Sequence, residues 1–174
     1  MTRALAIVAL LAAIARADDP PPRADDYADD ALVAFATTEL SPLPEVGGRI
    51  DLEAVVRWHH AHLAVQGRAG GAWSFSATAG GDVFGARAGI AVGWVIPLSQ
   101  RLAVVPMAGY DALALWESAG TSHELVHRFA IELPLSILVY RHVVLEPYGV
   151  LGIQSLRGSR DLAVAFGPRI GIVF

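Results

Sequence analysis

The sequence contains no cysteine and no lysine, and only 17% of its residues are charged. Without cysteine it has no disulfide scaffold, no cysteine-ligated zinc and no site for an N-terminal lipoprotein anchor. A sequence pI near 5.8 argues against a nucleic-acid partner. The charged fraction lies well below the roughly 25% usual for soluble domains. Hydrophobic residues make up 54% of the 174, too many for intrinsic disorder. After residue 30 no apolar run approaches the roughly 18 residues that a transmembrane helix requires. Either the core is unusually greasy or the outside does not face water.

The chain divides into three parts. Residues 1–17 (MTRALAIVALLAAIARA) have a positive start at Arg3, an unbroken apolar stretch from Ala4 to Ile14, and the small-x-small pattern Ala15-Arg16-Ala17. These are the parts of a cleaved secretory signal peptide, and the apolar stretch is too short to span a bilayer as a helix. Residues 18–30 (DDPPPRADDYADD) are rich in Pro and Asp and are expected to form a flexible acidic segment. Residues 31–174 carry the fold.

Through that third part the side chains alternate with period two, the signature of strands. From Leu162 to Phe174, Leu162, Val164, Phe166, Ile170, Ile172 and Phe174 share one face. Ala163, Ala165, Gly167, Arg169, Gly171 and Val173 share the other. The same division recurs over Val83–Leu98 and Arg128–Tyr140, from Leu63 to Phe75, and around Ile50–Trp58. It is weaker around Leu102–Asp111 and Val143–Gln154, and poorest over Ala31–Leu40. A soluble sandwich would meet water with Lys, Glu and Thr on its polar face. Here that face is mostly Gly, Ala and Ser with single charges, which suits the crowded interior of a narrow closed barrel whose greasy face meets lipid.

Turn signals at 40–48, 59–62, 79–82, 98–100, 117–122, 141–142 and 156–160 divide this region into eight strands. The expected fold is all-β, an eight-stranded antiparallel up-and-down transmembrane β-barrel with both ends on the periplasmic side. Trp58, Trp94 and Phe174 fall near periplasmic strand ends and Phe75, Phe84 and Trp116 near outer ends, all on the lipid-facing phase. They are expected to form two aromatic girdles.

The pattern resembles the small outer-membrane β-barrel proteins of Gram-negative bacteria, the OmpA-type barrel among them. The resemblance is architectural over residues 31–174. It is most specific at the C-terminus, where Phe166, Ile170, Ile172 and Phe174 alternate up to a final phenylalanine. It implies an outer-membrane location, an insertion signal in those four residues read by the barrel-insertion machinery, periplasmic chaperones during assembly, and a monomer in lipid. One departure stands out: Pro106, Pro134, Pro147 and Pro168 lie inside expected strands, where each removes a ladder hydrogen bond, and bulges are the expected remedy.

Three clusters suggest chemistry. His123-Glu124-Leu125-Val126-His127 matches the H-E-x-x-H zinc signature, with Glu146 as a conceivable third ligand. Gly120-Thr121-Ser122 precedes it and strand-like alternation follows, so the helix that this motif needs is not expected. Ser122, His123 and Glu124 also suggest a loop-borne lipid hydrolase, although triad members usually converge from separate elements. His59, His60 and His62 resemble a metal cluster but are expected to face water in a turn. No cofactor and no catalytic or metal site is assigned. The inward charges are more informative: Asp51, Glu53, Arg57, Arg68, Arg87, Asp111, Arg128, Glu132, Glu146 and Arg169, five acids and five arginines. Buried charges must pair, so the expected lumen is closed by salt bridges and the expected role is structural or interactive in the envelope. A small-solute pore, with those arginines around open water, is the alternative.

Overall fold

A computed structural model describes residues 23–43, 47–75, 83–117, 123–140, 142–156 and 159–174. Residues 1–17, expected to be a signal peptide, and the start of the acidic segment lie outside these residues. A short helix, α1 (Ala24–Asp29), precedes ten strand segments: β1 (Asp30–Leu43), β2 (Gly47–His60), β3 (Leu63–Phe75), β4 (Val83–Trp94), β5 (Ile96–Ser99), β6 (Leu102–Val104), β7 (Met107–Glu117), β8 (His123–Tyr140), β9 (Val143–Leu156) and β10 (Ser159–Val173). The pairs β4/β5 and β6/β7 are each one span, interrupted at Val95 and at Val105-Pro106. Eight spans result. Each runs antiparallel to the next, and β1 pairs with β10 to close the sheet on itself.

The registers measure the barrel. Asp30 pairs with His60, His60 with Leu63 and Leu63 with Trp94, whose amide donates to the Pro106 carbonyl at 3.1 Å. Carried across β8 the row continues through Leu133, Gly149 and Phe166, and reaches β1 again at Leu40, ten residues beyond its start. That stagger tilts the strands strongly, as closure of a narrow barrel demands.

The prolines are accommodated without bulges in two of the ladders. Pro147 stands opposite Pro168, so neither ring nitrogen is asked to donate across the β9–β10 pair. The register lapses instead on their far sides. In β8–β9 the paired residues skip from Pro134–Tyr148 to Ile137–Leu145, and in β1–β10 from Thr37–Arg169 to Leu40–Phe166, with no residue inserted in either. Pro106 sits in the interruption of its span. The expected bulges at these prolines are therefore replaced by missing bonds; register shifts occur at Leu138/Tyr140 and Pro97/Ser99.

Burial follows the period. Leu162, Phe166 and Ile170 are 70%, 54% and 55% exposed, whereas Ala165 and Arg169 between them are buried. Trp73, Phe84 and Trp116 lie side by side in register on β3, β4 and β7 and face out near the loop-bearing end. Trp58, Trp94 and Phe174 face out near the end that carries α1 and the C-terminus, here called the terminal end, and Ile172 is half-buried in the same phase. Phe75 ends β3, but its side chain lies outside the described residues. Small inward residues make room for large inward neighbours: a Cβ on Gly171 would lie 2.4 Å from the Phe35 ring, its cross-strand partner.

Two local expectations change. The β2–β3 turn is only Ala61-His62, both left-handed (φ 47° and 69°), a two-residue hairpin that matches the twist of its strands. His59 and His60 belong to β2, and His59 is completely buried rather than facing water. Part of the supposedly flexible acidic segment is ordered as α1, which lies across the barrel mouth. The Ala61 and His62 amides donate to the carbonyls of Asp29 (2.8 Å) and Ala28 (2.9 Å), satisfying the end of the helix. Ala24, Tyr27 and Ala28 have no exposed surface.

Candidate functional site: a charge network through the lumen

The inward phase of each strand places the ten charged residues singled out above inside the barrel, all of them buried. Two more join them. Glu39 comes from β1, read in the sequence as a weak strand, and Arg49 from the start of β2, between the turn read at 40–48 and the strand read from Ile50. Six arginines thus meet six acids, and the interior is formally neutral.

Towards the loop end Arg87 stands among four carboxylates: Glu53 at 2.5 Å, Asp51 and Asp111 each at 2.8 Å, and Glu39 at 2.9 Å. Arg49 holds Asp51 from above at 2.9 Å, and Arg128 reaches Glu39 at 2.7 Å and Asp111 at 2.9 Å. Arg68 joins this cluster to the next by pairing with both Asp111 and Glu132. Arg169 spans Glu132 (2.8 Å) and Glu146 (3.1 Å). Arg57 donates two bonds to Glu146, at 2.7 and 2.6 Å, and two more to the Gln66 side-chain oxygen. Arginine suits these positions because its planar fork engages two acceptors at once, which the ammonium of lysine cannot do. The absence of lysine from the sequence fits that demand.

Flat rings fill the remaining width. The Arg57 guanidinium lies 4.9 Å from the centre of the Phe35 ring, and that of Arg169 lies 3.8 Å from Tyr148. At the terminal end Ser136 donates to Glu146 at 2.7 Å, and the Tyr27 hydroxyl lies 3.3 Å from Ser136. His59 Nδ1 is 2.8 Å from the Tyr27 carbonyl, and the two rings meet edge-on at 4.5 Å. Burial pushes the Tyr27 phenol up to about 12, so the hydroxyl keeps its proton. One connected polar path therefore runs from Arg49 to the helix across the mouth. A cavity between Arg49, Arg87, Asp111 and Arg128 has a volume of about 10 Å³, scarcely one water molecule.

The H-E-x-x-H residues begin a strand, not a helix. Strand geometry separates the backbones of His123 and His127 by about 13 Å, against roughly 6 Å for one helical turn. His127 faces outward, with Nδ1 2.5 Å from the Tyr110 hydroxyl, whereas Glu146 faces inward on Arg57 and Arg169. The three are not brought together. The side chains of Ser122, His123 and Glu124 lie outside the described residues. His60 stacks on Trp58 at 5.4 Å and His62 on Trp94 at 6.1 Å, away from His59. Among the described residues no three His, Asp or Glu side chains are placed to hold one metal ion.

The sequence signal for Glu39 is inverted: in β1 the large Val33 and Phe35 point inward and the small Ala34 and Ala36 outward, the reverse of β10. Arg49 keeps the phase of Asp51 and Glu53 and lies just ahead of the strand read from Ile50. Tyr27, ahead of the first strand, carried no alternation at all.

No protein-family model and no curated protein sequence matches the chain. Solved structures do. Neisserial surface protein A (NspA) superposes with a TM-score of 0.62 at 8% identity, covering 83% of this chain and 97% of that one. Ail, the attachment invasion locus protein of Yersinia pestis, superposes with a TM-score of 0.54 at 10% identity over the same shares. The chain is thus a closed eight-stranded antiparallel barrel with a fold similar to that of these small outer-membrane proteins.

Proposed function

We propose that this chain is a non-conducting, non-catalytic barrel of the bacterial outer membrane with a structural or interaction role in the envelope. The observation that carries the reading is the neutral network of twelve buried charges, which fills the space where a pore would run. The exposed Leu, Ile, Val and Phe of every span supply the surface that lipid covers. The terminal end, with its short turns and α1, is the periplasmic side, and the signal at residues 1–17 accounts for export. Phe166, Ile170, Ile172 and Phe174 would present the insertion signal to the assembly machinery and its chaperones, and the finished barrel would act as a monomer. An interaction role agrees with the names of the two structural neighbours, a surface protein and an attachment protein.

The test is conductance in a planar bilayer. The folded chain is expected to give no stepwise current in 1 M salt, because every path along the axis crosses paired guanidinium and carboxylate groups. Discrete openings of constant size would establish the pore instead. Removing both members of the central junction, Arg68→Ala with Glu132→Ala, deletes a layer of the filling and is expected to raise ion leakage above that baseline.

A further inference from the structure

The outward face is apolar along most of every span, but near the loop end one oblique row across β8, β9 and β10 is polar. His127 on β8 pairs in register with Ser155 on β9, and Ser155 with Arg160 on β10. Directly opposed strand residues hold their Cβ atoms about 5 Å apart. All three occupy the lipid-facing phase; His127 and Ser155 are half-buried and Arg160 is exposed. The stagger of the barrel carries this row toward the loop end as it passes from β8 to β10, so Arg160 stands highest. His127 is held by Tyr110, whose hydroxyl lies 2.5 Å from Nδ1. When Nδ1 accepts the hydrogen bond of the phenolic O–H, Nε2 carries the ring hydrogen and is a donor. The row therefore offers an imidazole N–H, a hydroxyl and a guanidinium, three donors in a line.

Immediately below, toward the terminal end of the same strands, lies an open groove of about 450 Å³. Phe129, Ile131, Leu151, Ile153 and Leu162 form its walls and Gly152 part of its floor. An apolar trough capped at its membrane-surface end by anion donors matches one kind of occupant. We propose that this face binds a phosphate-bearing lipid, its phosphate on His127, Ser155 and Arg160 and one acyl chain in the trough. Guanidinium and imidazole donors suit a phosphate oxygen, and hydrocarbon covers the five large side chains that face it. The inference rests on the reading that the strands cross a membrane, and it adds a ligand to that reading.

The test is native mass spectrometry of the detergent-folded chain with dioleoyl phosphatidate, with dioleoylglycerol, which lacks the phosphate, and with inorganic phosphate. One phosphatidate is expected to be retained, at least about tenfold more tightly than either other probe. Arg160→Gln and His127→Leu are each expected to lower phosphatidate retention about tenfold and to leave dioleoylglycerol unchanged. Equal retention of phosphatidate and dioleoylglycerol, equal binding of inorganic phosphate, or unchanged phosphatidate retention in both variants would overturn the proposal. Heat-dependent gel mobility of each variant separates these results from loss of the barrel itself. Both side chains face outward, so that mobility is expected to persist, and its loss in both variants would contradict their placement.

Discussion

Replacing Arg87 by methionine is expected to lower the unfolding free energy of the barrel by about 3–5 kcal/mol. Arg87 is 3% exposed and is the shared partner of Glu39, Asp51, Glu53 and Asp111. Methionine keeps much of the volume but leaves four carboxylates within a few ångströms of one another. Arg128, Arg68 and Arg49 already serve Asp111, Glu39 and Asp51; Glu53 has no comparably close second cation among the described residues. The loss is therefore that of a buried pair broken on one side, not of a pair replaced. Urea unfolding in lipid vesicles, followed through the fluorescence of the outward-facing tryptophans, measures it. The companion substitution Glu53→Gln in the Arg87→Met background is expected to recover part of the loss by removing one of the stranded charges. A fall of less than about 1 kcal/mol for Arg87→Met would show that the network contributes little to stability.

Deleting residues 170–174 is expected to abolish folding altogether, even in vesicles without any assembly machinery. The β1–β10 seam rests on six registered pairs, and four of them, Val33–Val173, Ala34–Ile172, Phe35–Gly171 and Ala36–Ile170, lie within the deleted stretch. The Phe174 amide adds a bond to the Leu32 carbonyl at 2.8 Å. Just above, the ladder already lapses at Pro168, so the remaining contacts cannot zip the seam. Two strand edges would then face hydrocarbon, where each unsatisfied N–H or C=O costs several kcal/mol. Circular dichroism in vesicles should show loss of the β signal, and added protease should degrade the chain fully. A protected, β-rich product would mean that the other seven strand interfaces suffice without closure.

The outline of this fold was legible because a lipid-facing strand obeys a strict rule: large apolar side chains out, small or charged ones in. Val83–Leu98 and Leu162–Phe174 follow the rule at most positions, and the ten inward charges could be named from it. β1 defeated the rule because its inward positions carry Val33 and Phe35, the latter against Gly171 and the Arg57 guanidinium, while Ala34 and Ala36 face outward. The sequence marks β1 as a strand but not which of its faces is inward, so Glu39 is missing from the ten charges named there. His59 was misplaced for another reason. A run of three histidines around Ala61 reads as a polar loop, but the hairpin needs only two residues, and the order of α1 that buries His59 is a tertiary effect. Tyr27 and Ala28 are also held by groups far from them in sequence: Ser136 on β8 lies against the Tyr27 hydroxyl, and the amide of His62 in the β2–β3 turn donates to the Ala28 carbonyl. The outward row of His127, Ser155 and Arg160 is equally invisible in one dimension, because only the registers of three strands bring it together.

The most direct test of the account is the gel mobility of the detergent-folded chain, loaded in SDS with and without boiling. A closed barrel sealed by internal ion pairs resists SDS at room temperature and migrates as a compact species, so the unboiled sample is expected to run faster and to shift on heating. A single band with identical mobility in both lanes, from a sample that shows no β dichroism before boiling, would contradict the closed barrel and the sealed lumen together.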